Sequence, residues 1–135
     1  MDTQDSDEEY AYVLVSGYGD YREITDRLKM EPWKAWNAGD KKPKGGEYPR
    51  TEWAFQSGLA KTEELTKHID ILLTLLEQRS YVIKDLQPDW EIHINCVGYY
   101  RSSQHGLHIN KDIVKRAAYL GIEFDFDLYY VGQDN

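Results

Sequence analysis

The chain has little of what secreted and membrane proteins use. Its one cysteine, Cys96, excludes an internal disulfide bond. Its longest apolar run, residues 71–76 with Thr74 inside it, is far shorter than the roughly 20 residues that a membrane-spanning helix needs. The first residues lack the basic segment, the apolar stretch and the small-residue cleavage site of a secretion signal. We therefore expect a cytoplasmic protein that does not associate with membranes.

Positive charge is also scarce. The sequence has 16 Lys and Arg residues against 24 Asp and Glu residues, a net charge of −8. Because proteins bind nucleic acids chiefly by neutralising phosphates with Lys and Arg, this balance argues against general nucleic-acid binding. A basic protein partner or a small ligand fits the charge better.

The composition predicts one folded domain behind an acidic tail. A chain of 135 residues with 41% hydrophobic and 13% aromatic residues suffices for one core and is too short for two ordinary domains. Residues 1–9 are rich in Asp and Glu and are predicted to be a disordered tail. The single domain is expected over residues 10–131.

Strand and helix patterns alternate along this domain. Strands are predicted at residues 10–15 and 52–56, from Trp90 to about Gly98, and at residues 122–130, with a short strand at residues 107–109. A first helix runs from about Asp20 to Met30, a second follows a cap at Thr62, and a third lies between Asn110 and Gly121. Each main strand has one apolar face. The predicted fold is α+β: a single sheet of four or more strands, mostly antiparallel or mixed, with about three helices on one face.

The last strand carries the clearest candidate for a binding surface. Glu123, Asp125 and Asp127 are spaced by two, so a strand places their carboxylates on one face, about 7 Å apart. Such like charges repel one another, and a neighbouring cation, a metal ion or a protein partner is needed to compensate them. A solvated sheet face is the simplest alternative. The residues predicted to contact a basic partner are Glu123, Asp125, Asp127 and Tyr129, joined by His93 and Asn95 if their strand lies alongside.

The segment from Pro32 to Pro49 is predicted to be a long loop, with a mobile middle at residues 41–46. Long loops in compact domains are often functional. Trp36, Asp40 and Trp53 are its candidate ligand or partner residues, although the two indoles are equally suited to holding the loop on the core.

No catalytic residue, metal site or cofactor is predicted. Cys96 has the phase of Ile92 and Ile94 in its strand, which points its thiol into the core. His93, His105 and His108 lack the cysteine pair or the His-Glu-x-x-His motif typical of zinc sites. An enzyme is therefore the less favoured interpretation.

Several segments together resemble a known family. They are Gly19-Asp20 before the first helix, Pro32, the segment KAWNAGD at residues 34–40, the Trp53 strand that ends in Ser-Gly, and LGIEFDFDLYY at residues 120–130. With the leucine-rich central helix, this pattern resembles the bacterial domain-of-unknown-function family 4279 over residues 10–130. The resemblance implies no established activity.

Small acidic cytoplasmic proteins of this kind are sometimes suspected to be immunity proteins that inhibit toxins. We therefore favour a protein-binding module, of the immunity type and with a basic toxin as its partner. The alternatives are an enzyme with an acid-base or metal site on the sheet face and a small-ligand sensor at the Trp-rich loop. The oligomeric state is left open.

Overall fold

The computed structural model describes residues 6–132. Five strands and four helices follow one another in this range. They are β1 (Glu8–Gly17), α1 (Tyr21–Leu28), β2 (Lys34–Trp36), β3 (Thr51–Gln56), α2 (Leu65–Glu77), α3 (Ser80–Leu86), β4 (Glu91–Tyr100), α4 (Lys111–Leu120) and β5 (Glu123–Tyr130).

The strands form one mixed sheet in the order β2-β3-β1-β4-β5. β1 lies at its centre and pairs antiparallel with both β3 and β4. β2 continues the antiparallel pattern, whereas β5 pairs parallel with β4 after the crossover through α4. This arrangement confirms the predicted α+β fold with a single mixed sheet.

The two faces of the sheet have different surroundings. Alternate residues of the central strands, including Ala11, Val13, Ile92 and Ile94, are buried beneath the helices. We call this side the helix face. The four helices contribute their apolar side chains to the same core, and α2 contributes most, with Leu72 and other leucines fully buried. We call the opposite side of the sheet the open face.

Local sequence explains where two of the helices begin and where one of them ends. The Asp20 carboxylate accepts a hydrogen bond from the backbone N–H of Arg22, at 2.9 Å, and caps α1. The Asn110 side chain accepts one from the N–H of Ile113, also at 2.9 Å, and caps α4. Gly121 then ends α4 with a φ of 72°, a conformation that costs glycine little. These three terminal residues were predicted from the sequence.

Several local predictions were wrong. The central helix begins after Glu64, not after a cap at Thr62. Residues 107–109 form no strand, and α3 was not predicted. β1 begins at Glu8, before its predicted start at Tyr10, so the end of the predicted tail belongs to the sheet. Residues 1–5 of that tail lie outside the described residues.

The predicted long loop is more regular than expected. It contains β2, and its middle is a hydrogen-bonded turn in which the Lys42 N–H donates to the carbonyl of Gly46 at 2.9 Å. A bridge between Lys41 and Glu47 closes the same turn. The segment predicted to be mobile therefore has its own backbone hydrogen bonds.

The two phenylalanines of β5 differ in burial. Phe124 packs against the buried cluster. Phe126, two residues further along the same side of β5, is 41% exposed. Within residues 6–132, no helix is long and apolar enough to cross a bilayer.

Candidate functional site

The open face brings the predicted partner-binding residues together. Because β4 and β5 pair in register, His93 lies opposite Glu123 and Asn95 lies opposite Asp125. Tyr129 continues the same side of β5, where it lies opposite Tyr99. The predicted residues Glu123, Asp125, Asp127, Tyr129, His93 and Asn95 therefore form one continuous surface across two neighbouring strands.

Glu123, Asp125 and Asp127, which we call the acidic stripe, have little internal compensation. Their one ion pair among residues 6–132 joins Asp125 to the His93 ring, with 3.6 Å between Nδ1 and Oδ2, and it needs a protonated imidazole. Neither Lys nor Arg forms an ion pair with the stripe in the described part of the chain. The Asp125 side chain is 60% exposed, so an approaching cation can reach it.

Sequence reasoning missed a group of tyrosines beside this stripe. Tyr10 and Tyr12 project from β1 onto the open face, with their ring centroids 6.3 Å apart. Tyr99 and Tyr129 stack with 5.2 Å between centroids and 18° between ring planes. We call these four residues the tyrosine cluster. The ammonium group of Lys61 lies 5.2 Å from the centroid of Tyr10, which shows that this cluster already attracts one cation.

The tyrosine hydroxyls experience the negative field of the stripe. Burial raises the pKa of Tyr12, and the nearby carboxylates of Asp127, Glu52 and Asp125 raise it further, against an opposing hydrogen bond from Asn95. Burial also raises the pKa of Tyr10, with contributions from neighbouring tyrosines and Asp127. Both phenols therefore stay neutral at neutral pH and keep an O–H group that can donate.

Asn95 connects the stripe with the cluster. Its side-chain N–H donates to the hydroxyl oxygen of Tyr12 at 3.3 Å. Its side-chain oxygen is buried and has no hydrogen-bond partner among residues 6–132. An unpaired acceptor beside Asp125 adds to the negative potential of this part of the open face.

The pattern of β1 explains why the cluster was missed. Residues on both sides of this strand are apolar or aromatic, so alternation alone does not identify the buried side. The usable signal is side-chain chemistry, since Ala11, Val13 and Val15 have no polar atoms, whereas Tyr10 and Tyr12 have a hydroxyl that needs a partner.

The structure does not unite the predicted Trp-rich site. Trp36 lies on the open side of β2, stacked on Tyr48 with 4.2 Å between centroids. Asp40 accepts a hydrogen bond from the Asn37 N–H at 2.8 Å and so stabilises the turn. Trp53 faces the helices, where its indole N–H donates to Thr25 at 3.0 Å. The three residues therefore contribute to structure at separate places.

Three further features bear on chemistry. A cavity of about 260 Å³ at the start of β4 and β5 is lined by His93, Glu91 and Glu123, among other residues. Residues 6–132 contain no group of three or more His, Cys, Asp and Glu side chains that could hold a metal ion. Cys96 is fully buried, as predicted, and burial raises the pKa of its thiol to about 12.

Comparison with known proteins gives a family but no activity. Neither a curated protein nor a solved structure matches the sequence. A family model matches residues 8–131, which include all five strands and all four helices that the structure describes. The chain therefore belongs to the family described as Domain of unknown function (DUF4279), the one that its sequence resembles.

Proposed function

We propose that this chain is a protein-binding module whose open face docks a basic protein partner. The observation that carries the proposal is the acidic stripe beside the tyrosine cluster, without a Lys or Arg ion pair among residues 6–132. Three aligned carboxylates repel one another in the free protein. A cationic partner relieves this repulsion and so gains binding free energy.

The tyrosine cluster gives such a partner more than charge. An Arg or Lys side chain can place its cation over a tyrosine ring while it forms an ion pair with a carboxylate on the neighbouring strand. Tyrosines held on β-strands lose little conformational entropy on binding, and tyrosine and arginine are frequent energetic centres of protein interfaces. The open face thus offers anchors for affinity and charges for steering.

The test replaces two carboxylates of the stripe. Asp125→Asn with Asp127→Asn removes two charges from the open face, and Asp26→Asn with Glu31→Gln removes two exposed charges on the helix side as a matched control. Proteins captured from cell lysate by the wild type are identified, and the affinity of each purified partner is then measured by calorimetry at low and high salt.

We expect a basic partner whose affinity falls about tenfold or more in the Asp125/Asp127 variant and hardly changes in the control. The affinity should also fall with salt, because exposed ion pairs are screened. A partner that binds both variants as tightly as the wild type would remove the acidic stripe from the mechanism.

An immunity-type inhibitor of a basic toxin is the more specific form of this proposal, and it places the chain in the cytoplasm. It adds one requirement to simple binding, namely that the captured partner loses a harmful activity in the complex. Toxicity of the partner when expressed alone, and its relief by wild-type protein but not by the Asp125/Asp127 variant, is the corresponding measurement.

The cavity beside His93 favours the enzyme as the second candidate. An imidazole between carboxylates is an arrangement suited to proton transfer, and Glu91 and Glu123 line the same cavity. Hydrolysis of a model ester or phosphoester by the purified protein, lost in His93→Gln and retained in His108→Gln, would favour this candidate over the binding module.

A further inference from the structure

β5 lies at one edge of the sheet. It is the last strand in the sheet order, and within residues 6–132 no strand pairs with its outer side. Its eight residues contain neither proline nor lysine, two common means of blocking an edge strand. From Glu123 to Tyr129, the outward N–H and C=O groups of β5 are therefore available to pair with another strand.

The two sides of this edge differ chemically. The acidic stripe lies on the open face. Phe126, Leu128 and Tyr130 lie on the helix side, where they are 41%, 44% and 43% exposed, and we call them the apolar stripe. The helices cover Phe124 but leave the rest of this side exposed. A strand added to β5 would contact both stripes, one with each of its own two faces.

Charge decides between a second copy and another protein. If two copies paired antiparallel through β5, Glu123, Asp125 and Asp127 of one copy would lie opposite the same residues of the other. Like charges directly opposite each other destabilise strand pairing. A strand with basic residues on one face and apolar residues on the other would instead match both stripes.

We propose that β5 binds an extended segment of the basic partner as an additional strand of the sheet. Basic side chains of this segment contact the acidic stripe, and its apolar side chains cover Phe126 and Leu128. This inference rests on the proposed function and specifies how the partner binds.

The other edge of the sheet has a different design. β2 is only three residues long, from Lys34 to Trp36, and begins with a cation that would repel a basic strand. Short edge strands with charged side chains resist pairing. β5 should therefore bind the segment, whereas β2 should not.

A synthetic peptide tests the proposal directly. The probe is as long as β5, eight residues, and alternates arginine with valine. Two further peptides have the same sequence with N-methyl groups either on all arginines or on all valines. N–H groups of alternate residues in a strand point to the same edge, so each peptide has one blocked edge and one free edge.

We expect the unmodified peptide to bind and to slow amide hydrogen exchange in β5 but not in β2. One methylated peptide should bind about tenfold or more weakly, because its hydrogen-bonding edge is blocked, and the other should bind like the unmodified peptide. Equal affinity of the two methylated peptides, or no binding of the unmodified peptide, would overturn the proposal.

Two single variants separate this mode of binding from the proposed function. Leu128→Ser alters the apolar stripe alone and should weaken the peptide several-fold, whereas Val114→Ser, at a 52% exposed site on α4, should not. If the Asp125/Asp127 variant weakens the peptide but Leu128→Ser and N-methylation have no effect, the open face binds basic partners and strand addition is wrong. If the peptide adds to β5 as a strand but the protein captures no basic partner, the proposed function is contradicted instead.

Discussion

The helix face and the open face of the sheet are made by the same strands, but the side chains that fill them differ in kind. On β4, Ile92, Ile94 and Cys96 are buried under the helices, whereas His93 and Asn95 on the other side are only partly covered. The helix face gains stability from dense apolar packing. The open face keeps charged and aromatic groups accessible, which adds little to stability and suits recognition. Substitutions on the two faces should therefore have different consequences.

The largest effect is expected in the core above the helix face. Leu72 on α2 is fully buried, so Leu72→Ala leaves a cavity and should lower the free energy of unfolding by about 2–5 kcal/mol. Denaturant unfolding followed by circular dichroism measures this change. Tyr81→Ala, at an 82% exposed site on α3, is the matched control and should change little. A shift below about 0.5 kcal/mol for Leu72→Ala would show that α2 does not contribute to the core as described.

A smaller loss of stability is expected where an aromatic ring lies close to the backbone. The Tyr100 ring lies across Gly98, and its hydroxyl donates to Glu9 at 2.8 Å. A Cβ atom at Gly98 would overlap that ring, so Gly98→Ala should destabilise the protein by about 1–3 kcal/mol. Gly106→Ala serves as control because a Cβ atom there meets no neighbour. Equal stability of the two variants would mean that Tyr100 moves aside without cost.

A pH-dependent loss of stability is expected from a polar pair within the core. The His68 ring is fully buried and lies 2.6 Å from the Ser57 hydroxyl, measured from Nδ1 to Oγ. Burial lowers the pKa of His68 from its ordinary value of 6.5, so the folded protein disfavours the charged imidazole. The contribution of the neutral His68 ring to stability is complete above about pH 6.5, the pKa of the imidazole in the unfolded chain. It decreases as the pH falls below that value.

In the wild type, the free energy of unfolding measured above and below this pH should therefore decrease towards acid pH. His68→Gln should flatten this slope, whereas the exposed His108→Gln should leave it in place. If the slope persists in His68→Gln, another group causes it and burial of His68 has no part in the pH dependence.

The smallest effect on stability is expected on the open face. Asp125→Asn with Asp127→Asn should change the free energy of unfolding by less than about 0.5 kcal/mol, or raise it slightly by relieving repulsion. The same denaturant titration measures it, with the Asp26/Glu31 variant as control. A loss comparable with that of Leu72→Ala would contradict the distinction between the two faces.

Much of this architecture could be predicted because local signals agree with it. Period-two alternation identified β4 and β5, and the capping residues Asp20 and Asn110 located two helix starts. α3 was missed because it has only seven residues and no side-chain cap. β2 was missed because its three residues depend on pairing with β3, a contact that no local pattern reveals.

The candidate site was predictable only in part, for a similar reason. The acidic stripe is a property of one strand and can be found in the sequence. The tyrosine cluster depends on the order of β1, β4 and β5, which follows from long-range pairing. Trp53 was a candidate for the site on composition, but it pairs with the buried Val15 and faces the helices, which only the long-range pairing of β1 with β3 shows.

Cys96 gives the molecule an internal reporter of sheet opening. It is the single cysteine of the chain, it is fully buried opposite Phe126 of β5, and its thiol pKa is raised to about 12. A thiol reagent therefore modifies it through transiently opened molecules, in which the thiol is exposed and ionises more readily. The rate of modification then measures how often the region around Cys96 opens. No label has to be added for this measurement, and a peptide that stabilises β5 against opening would make the reaction slower.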